Sequence, residues 1–173
     1  MSDGASNVRV VVGGVSGSGK STVGEALAAR LGVAFEDGDD LHPDANKDKM
    51  RAGEALTDED RRPWLIAVGE WLEAREGGVV ACSALRRTHR DLLRAHADDL
   101  DILMLDGEPD VIRERQAGRG QHFMPSSLMN SQFATYEPMA PEERGVTLDV
   151  SDPVDVIVES YVAGLTGRSA DRS

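Results

Sequence analysis

The chain has 173 residues, of which 40% are hydrophobic and 29% are charged, and its formal net charge is −12. This length and composition predict a single domain, residues 1–173, and argue against intrinsic disorder. The acidity argues against partners such as nucleic acid or an anionic membrane, although it is compatible with a locally basic cavity.

The sequence also indicates a cytoplasmic location. Cys82 is the single cysteine, so no internal disulfide can form and an intracellular setting is favoured. The first residues lack the basic and apolar regions of a signal peptide, and no apolar run approaches the length of a membrane span.

Apolar runs alternate with helical patterns along the chain, which predicts an α/β fold with a parallel sheet. Apolar runs indicate strands at residues 8–12, 33–37, 79–83, 102–105 and 146–150. Helical spacing and capping signals indicate helices at residues 21–31, 57–75, 86–97 and 109–117, a short helix ending near 136, and a last helix from 152. Trp64 and Trp71 share one apolar stripe and are interpreted as packing residues. We expect a core over about residues 8–166 and a disordered tail over 167–173.

A phosphate-binding pattern lies between the first strand and the first helix. The segment GVSGSGKS at residues 14–21 matches G-x-x-x-x-G-K-[ST], in which glycines turn backbone N–H groups toward an anion. It predicts an ATP site, with Lys20 reaching the β- and γ-phosphates and the Ser21 hydroxyl binding Mg²⁺. The candidate ATP-binding residues are Gly14, Val15, Ser16, Gly17, Ser18, Gly19, Lys20, Ser21 and Thr22.

An acidic pair follows the second strand. No D-x-x-G segment occurs in the chain, which argues against a GTPase. Asp37 and Asp39 are two residues apart, so they point to the same side if the strand extends that far. Strand ends at this edge of an open α/β sheet form the ligand crevice. One carboxylate could orient Mg²⁺ or its water, and the other could accept a proton from the acceptor.

Two arginine pairs have the spacing to supply positive charge. Phosphoryl transfer needs cations near the transferring group. Arg115 and Arg119, four residues apart near a helix end, would clamp that group or else remain solvated. Arg86 and Arg90 share this spacing beyond the third strand, and they would bind a substrate carboxylate or phosphates, or else form surface ion pairs.

Several short blocks, in this order, resemble the gluconate kinase (gluconokinase) family, which is similar to shikimate kinases and nucleoside monophosphate kinases. Besides the P-loop, the blocks are DGD at 37–39, HP at 42–43, LTD at 56–58, DR at 60–61, PWL at 63–65, ACSALR at 81–86, HFMP at 122–125 and SQF at 131–133. Shikimate kinases carry three glycines after the third strand. Ser83, Ala84 and Leu85 stand in that place here, which favours gluconate.

The resemblance implies a P-loop kinase with three α/β/α layers, sheet order 2-3-1-4-5 and a mobile lid at about residues 118–131. It implies transfer of the ATP γ-phosphoryl group to the 6-hydroxyl of gluconate with Mg²⁺, where Asp37 serves the Mg²⁺ shell and Asp39 meets the hydroxyl. The catalytic residues would be Lys20, Asp39, Arg115 and Arg119. Those implied in substrate binding are Asp39, His42, Lys49, Arg86, Arg90, His122 and Gln132.

The sequence is also compatible with two other functions. One is a kinase of the same fold that acts on shikimate or another small hydroxy acid. Another is a non-catalytic, ATP-dependent regulatory module, although the presence of Asp39 and Lys49 argues against it because such a module needs no acceptor site. Members of the family are often homodimers, and no feature of this sequence decides between a monomer and a homodimer.

Overall fold

The computed structural model of the protein describes residues 8–15, 18–118 and 126–170. Its strands are β1 (Arg9–Gly13), β2 (Ala34–Asp37), β3 (Gly78–Ala81), β4 (Asp101–Asp106) and β5 (Gly145–Asp149). They form one sheet of order β2-β3-β1-β4-β5, and every neighbouring pair is parallel. The predicted fold class and sheet order are therefore confirmed.

The helices of the described residues are α1 (Lys20–Leu31), α2 (Asp44–Arg51), α3 (Asp58–Glu73), α4 (Arg87–His96), α5 (Pro109–Gly118), α6 (Ser126–Thr135) and α7 (Val154–Ala170). The sequence pattern does not predict α2, because its residues DANKDKMR carry no apolar stripe; in the structure only its Asn46 is buried. Within this part of the chain, no helix has both the length and the apolar character needed to cross a membrane.

The last helix, α7, extends further than the sequence predicts. It continues through Ala170, which places residues 167–170 in the helix rather than in a disordered tail. The reason is that Gly167 alone does not end a helix when no proline or capping signal follows it. Residues 171–173 lie outside the described part of the chain.

Two apolar layers cover the two faces of the sheet. Side chains alternate across β1, so Val10 and Val12 pack on one side with α1 and α7, whereas Val11 packs on the other side with α3 and α4. The central strands β1, β3 and β4 are buried on both faces, as is usual in parallel sheets. This arrangement confirms the three α/β/α layers.

The carboxyl ends of β1, β2 and β3 meet at one edge of the sheet. β1 leads into the P-loop, β2 ends at Asp37, and β3 leads into residues 83–85. Since ligands of open α/β sheets bind at this edge, the topology brings together three segments that are far apart in sequence.

Candidate active site

The P-loop joins the end of β1 to the start of α1. Gly14 has a φ of +138°, and a Cβ there would lie 2.7 Å from the Leu105 carbonyl oxygen and 2.8 Å from Ser18 Oγ. Gly19 caps α1 with a φ of +93°, in the left-handed region that favours glycine. The N-terminus of α1 follows Gly19 directly, and the first backbone N–H groups of a helix, which have no partner within the helix, attract phosphate oxygens.

The inner side of the loop carries polar groups that suit a phosphate. Ser18 is 1% exposed, and its Oγ has no hydrogen-bond partner within the described part of the chain. A buried hydroxyl of this kind calls for an explanation, and a bound phosphate would supply its partner. Lys20 Nζ donates to the Val15 carbonyl oxygen at 3.3 Å, so the ammonium group lies over the same loop.

The Ser21 hydroxyl and the Asp37 carboxylate are neighbours. Ser21 Oγ donates to Asp37 Oδ2 at 3.0 Å, and the Asp39 backbone N–H donates to Asp37 Oδ1 at 3.0 Å. Gly38 separates the two aspartates because a Cβ there would overlap the Ala81 carbonyl oxygen of β3. The structure therefore brings the two predicted Mg²⁺ ligands together.

A cavity of about 580 Å³ opens beside Lys20 and Asp39, and we call it the Asp39 cavity. Its other polar walls include His42, Lys47, Arg61, Ser83 and Gln132. Although Asp39 keeps solvent-exposed surface, desolvation by the surrounding protein raises its pKa above the ordinary value of 3.8, and the charge of Lys20 opposes this shift. The Asp39 carboxylate is consequently a stronger base than an isolated surface aspartate.

His42 forms a neutral, oriented donor on the cavity wall. Its ring stacks on Trp64 with centroids 4.1 Å apart, and Asn46 Nδ2 donates to its Nδ1 at 3.2 Å. Burial, reinforced by two nearby cations, lowers the pKa of His42 to about 4. At neutral pH the ring is therefore uncharged and carries its proton on Nε2.

Trp64 does more than the packing that its apolar stripe indicates. It is 2% exposed, as predicted for a core residue, but its Nε1 also donates to the Gly38 carbonyl oxygen at 2.8 Å. It thus positions both the turn that carries Asp39 and the ring of His42. A buried indole N–H usually requires an acceptor, which is the signal that could have indicated this second role.

The sequence pattern does not indicate three further cations of the cavity, Arg61, Lys47 and Arg51. Arg61 is 8% exposed, and its Nη1 donates to Asp58 Oδ1 at 3.4 Å; burial lowers its pKa from the ordinary 12.5. Lys47 comes from α2, the helix that the sequence pattern does not indicate. Their orientation depends on how α2 and α3 pack, so spacing alone could not identify them.

Of the predicted substrate-binding residues Gln132, Lys49 and Arg86, one lines the Asp39 cavity and two form ion pairs elsewhere. Gln132, on α6, lines the Asp39 cavity. Lys49 Nζ donates to Asp60 Oδ2 at 2.8 Å, and Arg86 Nε lies 3.6 Å from Asp58 Oδ1. Neither of these two cations is among the described residues that line the cavity. Their role in binding stays a prediction.

The predicted contact between Arg90 and a substrate requires correction. Arg90 is fully buried, and its guanidinium N–H groups donate to Glu143 and to the carbonyl oxygens of Ala84, Leu85 and Pro138. No part of the side chain faces solvent or the cavity. Arg90 is therefore an internal structural residue and forms a buried ion pair, rather than a surface one or a substrate contact.

Several predicted site residues cannot be placed. Ser16 and Gly17 of the P-loop, and Arg119 and His122 of the predicted lid, lie outside the described residues. Arg115 belongs to α5, but its side chain is likewise outside the description. The phosphoryl clamp and the lid therefore stay predictions.

The chain is similar to known kinases over most of its length. The family model for shikimate kinase matches residues 16–143. A gluconokinase of Gluconobacter oxydans is 41% identical over 88% of this chain and 88% of its own length. The thermosensitive gluconokinase of Escherichia coli is 42% identical over 84% of this chain and 81% of its own length.

A solved structure gives the same result at the level of the fold. A crystal structure of a gluconokinase from Sinorhizobium meliloti superimposes with a TM-score of 0.89 and 48% identity, over 95% of each chain. The chain belongs to the gluconokinase family, and with it to the wider shikimate kinase family. This family membership confirms the resemblance and brings with it a P-loop kinase fold whose nucleotide co-substrate is ATP.

Proposed function

We propose that the protein transfers the γ-phosphoryl group of ATP to the 6-hydroxyl of D-gluconate, giving ADP and 6-phosphogluconate. The observation that carries the proposal is the position of Asp39 beside Lys20, the P-loop lysine, in the wall of one cavity. The curated relatives named gluconokinases support gluconate as the acceptor. A base and a phosphate-binding lysine in one cavity are what transfer to a hydroxyl requires.

On the nucleotide side, the chain supplies positioning and charge. The P-loop backbone and Ser18 hydroxyl would hold phosphate oxygens, and Lys20 would offset the charge that develops on them. The Ser21 hydroxyl and the Asp37 carboxylate would hold Mg²⁺, because this ion prefers oxygen ligands and usually binds through few protein groups together with substrate phosphates. When bound, Mg²⁺ would neutralise charge on the β- and γ-phosphates.

On the acceptor side, Asp39 would take the proton of the attacking hydroxyl. Its raised pKa suits a base, and Asp37 is already occupied by Ser21 and by the Asp39 backbone N–H. These contacts support the two roles that the resemblance implies, in which Asp37 serves the Mg²⁺ shell and Asp39 meets the acceptor hydroxyl. The hydroxyl would approach between Asp39 and Lys20, where the transferred group would be held.

The remaining polar walls suit the rest of an acidic polyol. Arg61 and Lys47 would attract the carboxylate, and a nearly buried guanidinium can bind it through two hydrogen bonds. The Nε2–H of His42 and the amide of Gln132 would bind hydroxyl groups along the chain. A protein of net charge −12 would otherwise repel such an anion, which makes these local cations important.

A coupled assay of ADP release tests the proposal. The acceptors are gluconate, shikimate, related sugar acids and nucleoside monophosphates, each at saturating ATP and Mg²⁺. We expect gluconate to give the highest kcat/KM. Preferential turnover of shikimate would replace gluconate as the acceptor, and the absence of acceptor-dependent ADP release would favour the regulatory alternative.

A further inference from the structure

The turn that follows β3, residues 83–85, forms one wall of the Asp39 cavity. Ser83 and Leu85 line the cavity, and Ala84 between them is fully buried. Ala84 has a φ of +46°, a left-handed conformation that residues other than glycine rarely adopt. Local preference therefore does not explain the shape of the 83–85 turn, and contacts from other elements must stabilise it.

Arg90 of α4 supplies two of these contacts. Its Nη1 donates to the carbonyl oxygens of Ala84 at 2.9 Å and Leu85 at 3.2 Å. Its Nε and Nη2 donate to the two carboxylate oxygens of Glu143 at 2.7 and 3.1 Å, and both side chains are fully buried. This bidentate pair fixes the plane of the guanidinium, so that its remaining edge holds the turn.

Glu143 is itself held from several directions. The Ala140 backbone N–H donates to its Oε2 at 2.8 Å, and Arg94 Nη1 donates to its Oε1 at 2.9 Å. In the same segment, the Glu137 backbone N–H donates to the Leu85 carbonyl oxygen at 2.7 Å. Residues 137–143 thus bind the 83–85 turn directly through Glu137 and indirectly through Arg90.

The start of the turn has a separate support. The Gly14 backbone N–H donates to the Ser83 carbonyl oxygen at 3.0 Å, which joins Ser83 to the P-loop. Loss of the Arg90 contacts should therefore move Ala84 and Leu85 while the P-loop stays in place. Acceptor binding and ATP binding should respond differently to such a change.

We propose that Arg90 is a positioning residue for the acceptor. Together with Glu143 it holds the 83–85 turn in the conformation that shapes the Asp39 cavity, and it does not touch the acceptor itself. The inference rests on the proposed function for the identity of the acceptor, gluconate, whereas the conformation of the turn does not depend on it.

The substitution Arg90→Lys provides the first test. Arg90→Lys keeps a positive charge opposite Glu143, but one nitrogen cannot reach both carboxylate oxygens and both turn carbonyls. We expect the KM for gluconate to rise at least ~10-fold while the KM for ATP changes less than ~2-fold. The matched control is Arg94→Lys, which weakens a bond to the same glutamate but affects no turn carbonyl; its gluconate KM should stay within about threefold.

A rescue experiment distinguishes positioning from general support of the fold. Glycine adopts the conformation of Ala84 without strain, so Ala84→Gly should lower the gluconate KM of the Arg90→Lys protein. Ala84→Gly alone should change this KM little, since Arg90 already holds the turn. If Arg90 only supported the fold, added flexibility at position 84 would bring no recovery.

Other results would overturn the proposal. They are an equal rise of both KM values in Arg90→Lys, an equal effect of Arg94→Lys, or no recovery by Ala84→Gly. If Arg90→Lys does not accumulate as folded protein, Glu143→Gln, which keeps the size of the side chain and removes its charge, carries the same expectation. If the wild-type protein does not phosphorylate gluconate, the proposed function fails. The role of Arg90 is then tested by a crystal structure of the Arg90→Lys protein. A displaced 83–85 turn would support that role, and an unchanged turn would overturn it.

Discussion

The ammonium group of Lys20 lies over the P-loop, where it donates to the Val15 carbonyl oxygen at 3.3 Å. Lys20→Met keeps the length of the side chain and removes the charge that meets the β- and γ-phosphates. We expect phosphoryl transfer to fall at least ~10²-fold with an unchanged circular dichroism spectrum. The control is Arg30→Met, which removes a cation from the exposed far end of the same helix and should keep full activity. Activity of Lys20→Met within tenfold of wild type would contradict the role given to this lysine.

The two aspartates of the acidic turn provide a matched pair of substitutions. Asp39→Asn keeps size and hydrogen bonding but cannot accept a proton, so kcat should fall ~10²-fold or more with little change in the KM for ATP. Asp37→Asn should instead raise the Mg²⁺ concentration that half-maximal activity requires, because Asp37 faces the Ser21 hydroxyl. Titration of Mg²⁺ at saturating substrates measures both effects. If Asp39→Asn keeps its kcat and Asp37→Asn loses activity at saturating Mg²⁺, the two roles are reversed.

Among the elements, α3 depends on its N-terminal cap. Thr57 Oγ1 accepts the Asp60 backbone N–H at 3.1 Å, and the Asp60 carboxylate accepts the Thr57 backbone N–H at 2.9 Å, which confirms the predicted capping signal. Thr57→Ala should lower the free energy of unfolding by about 1 kcal/mol in urea titrations. Thr166→Ala is the control, since Thr166 lies within α7 and caps nothing. A loss of equal size in both variants would show that the cap is not the cause.

For the molecule as a whole, histidine protonation makes stability depend on pH. The pKa of His42 is lowered to about 4 in the folded state, whereas an exposed histidine titrates near 6.5. Between these two pKa values His42 is protonated in the unfolded chain but not in the folded protein. The free energy of unfolding should therefore fall as the pH drops from about 6.5 to 4. Burial also lowers the pKa of His89, which adds to the same slope.

Urea unfolding measured across this pH range checks the prediction. His42→Gln, which stays neutral, should give a flatter dependence than wild type. His96→Gln removes a histidine that lies outside the cavity and pairs with Glu73, and it should keep most of the slope. A His42→Gln protein with the wild-type slope would show that His42 is not the group responsible.

Much of the fold and part of the candidate site could be predicted from the sequence alone, because the sequence patterns that indicate them are local. The apolar runs, the glycines of the P-loop and the Thr57 cap each act within a few residues. They predicted each strand that the described residues form and the place of the P-loop between β1 and α1. Asp37 and Asp39 could be proposed in the same way, since Asp37 ends β2 and Asp39 follows two residues later. Helix α2 was missed because it has no apolar stripe: Asn46 is its one buried residue, and charged residues lie in its first and last turns.

Only the tertiary structure decided which cations face the Asp39 cavity and which support its wall. Arg61, Arg86 and Arg90 are equivalent as charges in the sequence, yet Arg61 lines the cavity, Arg86 faces Asp58, and Arg90 is buried against Glu143. The role of a guanidinium depends on which carboxylates and carbonyl oxygens lie within hydrogen-bond distance. Glu143 lies 53 residues beyond Arg90, and only the packing of α4 against residues 137–143 brings them together.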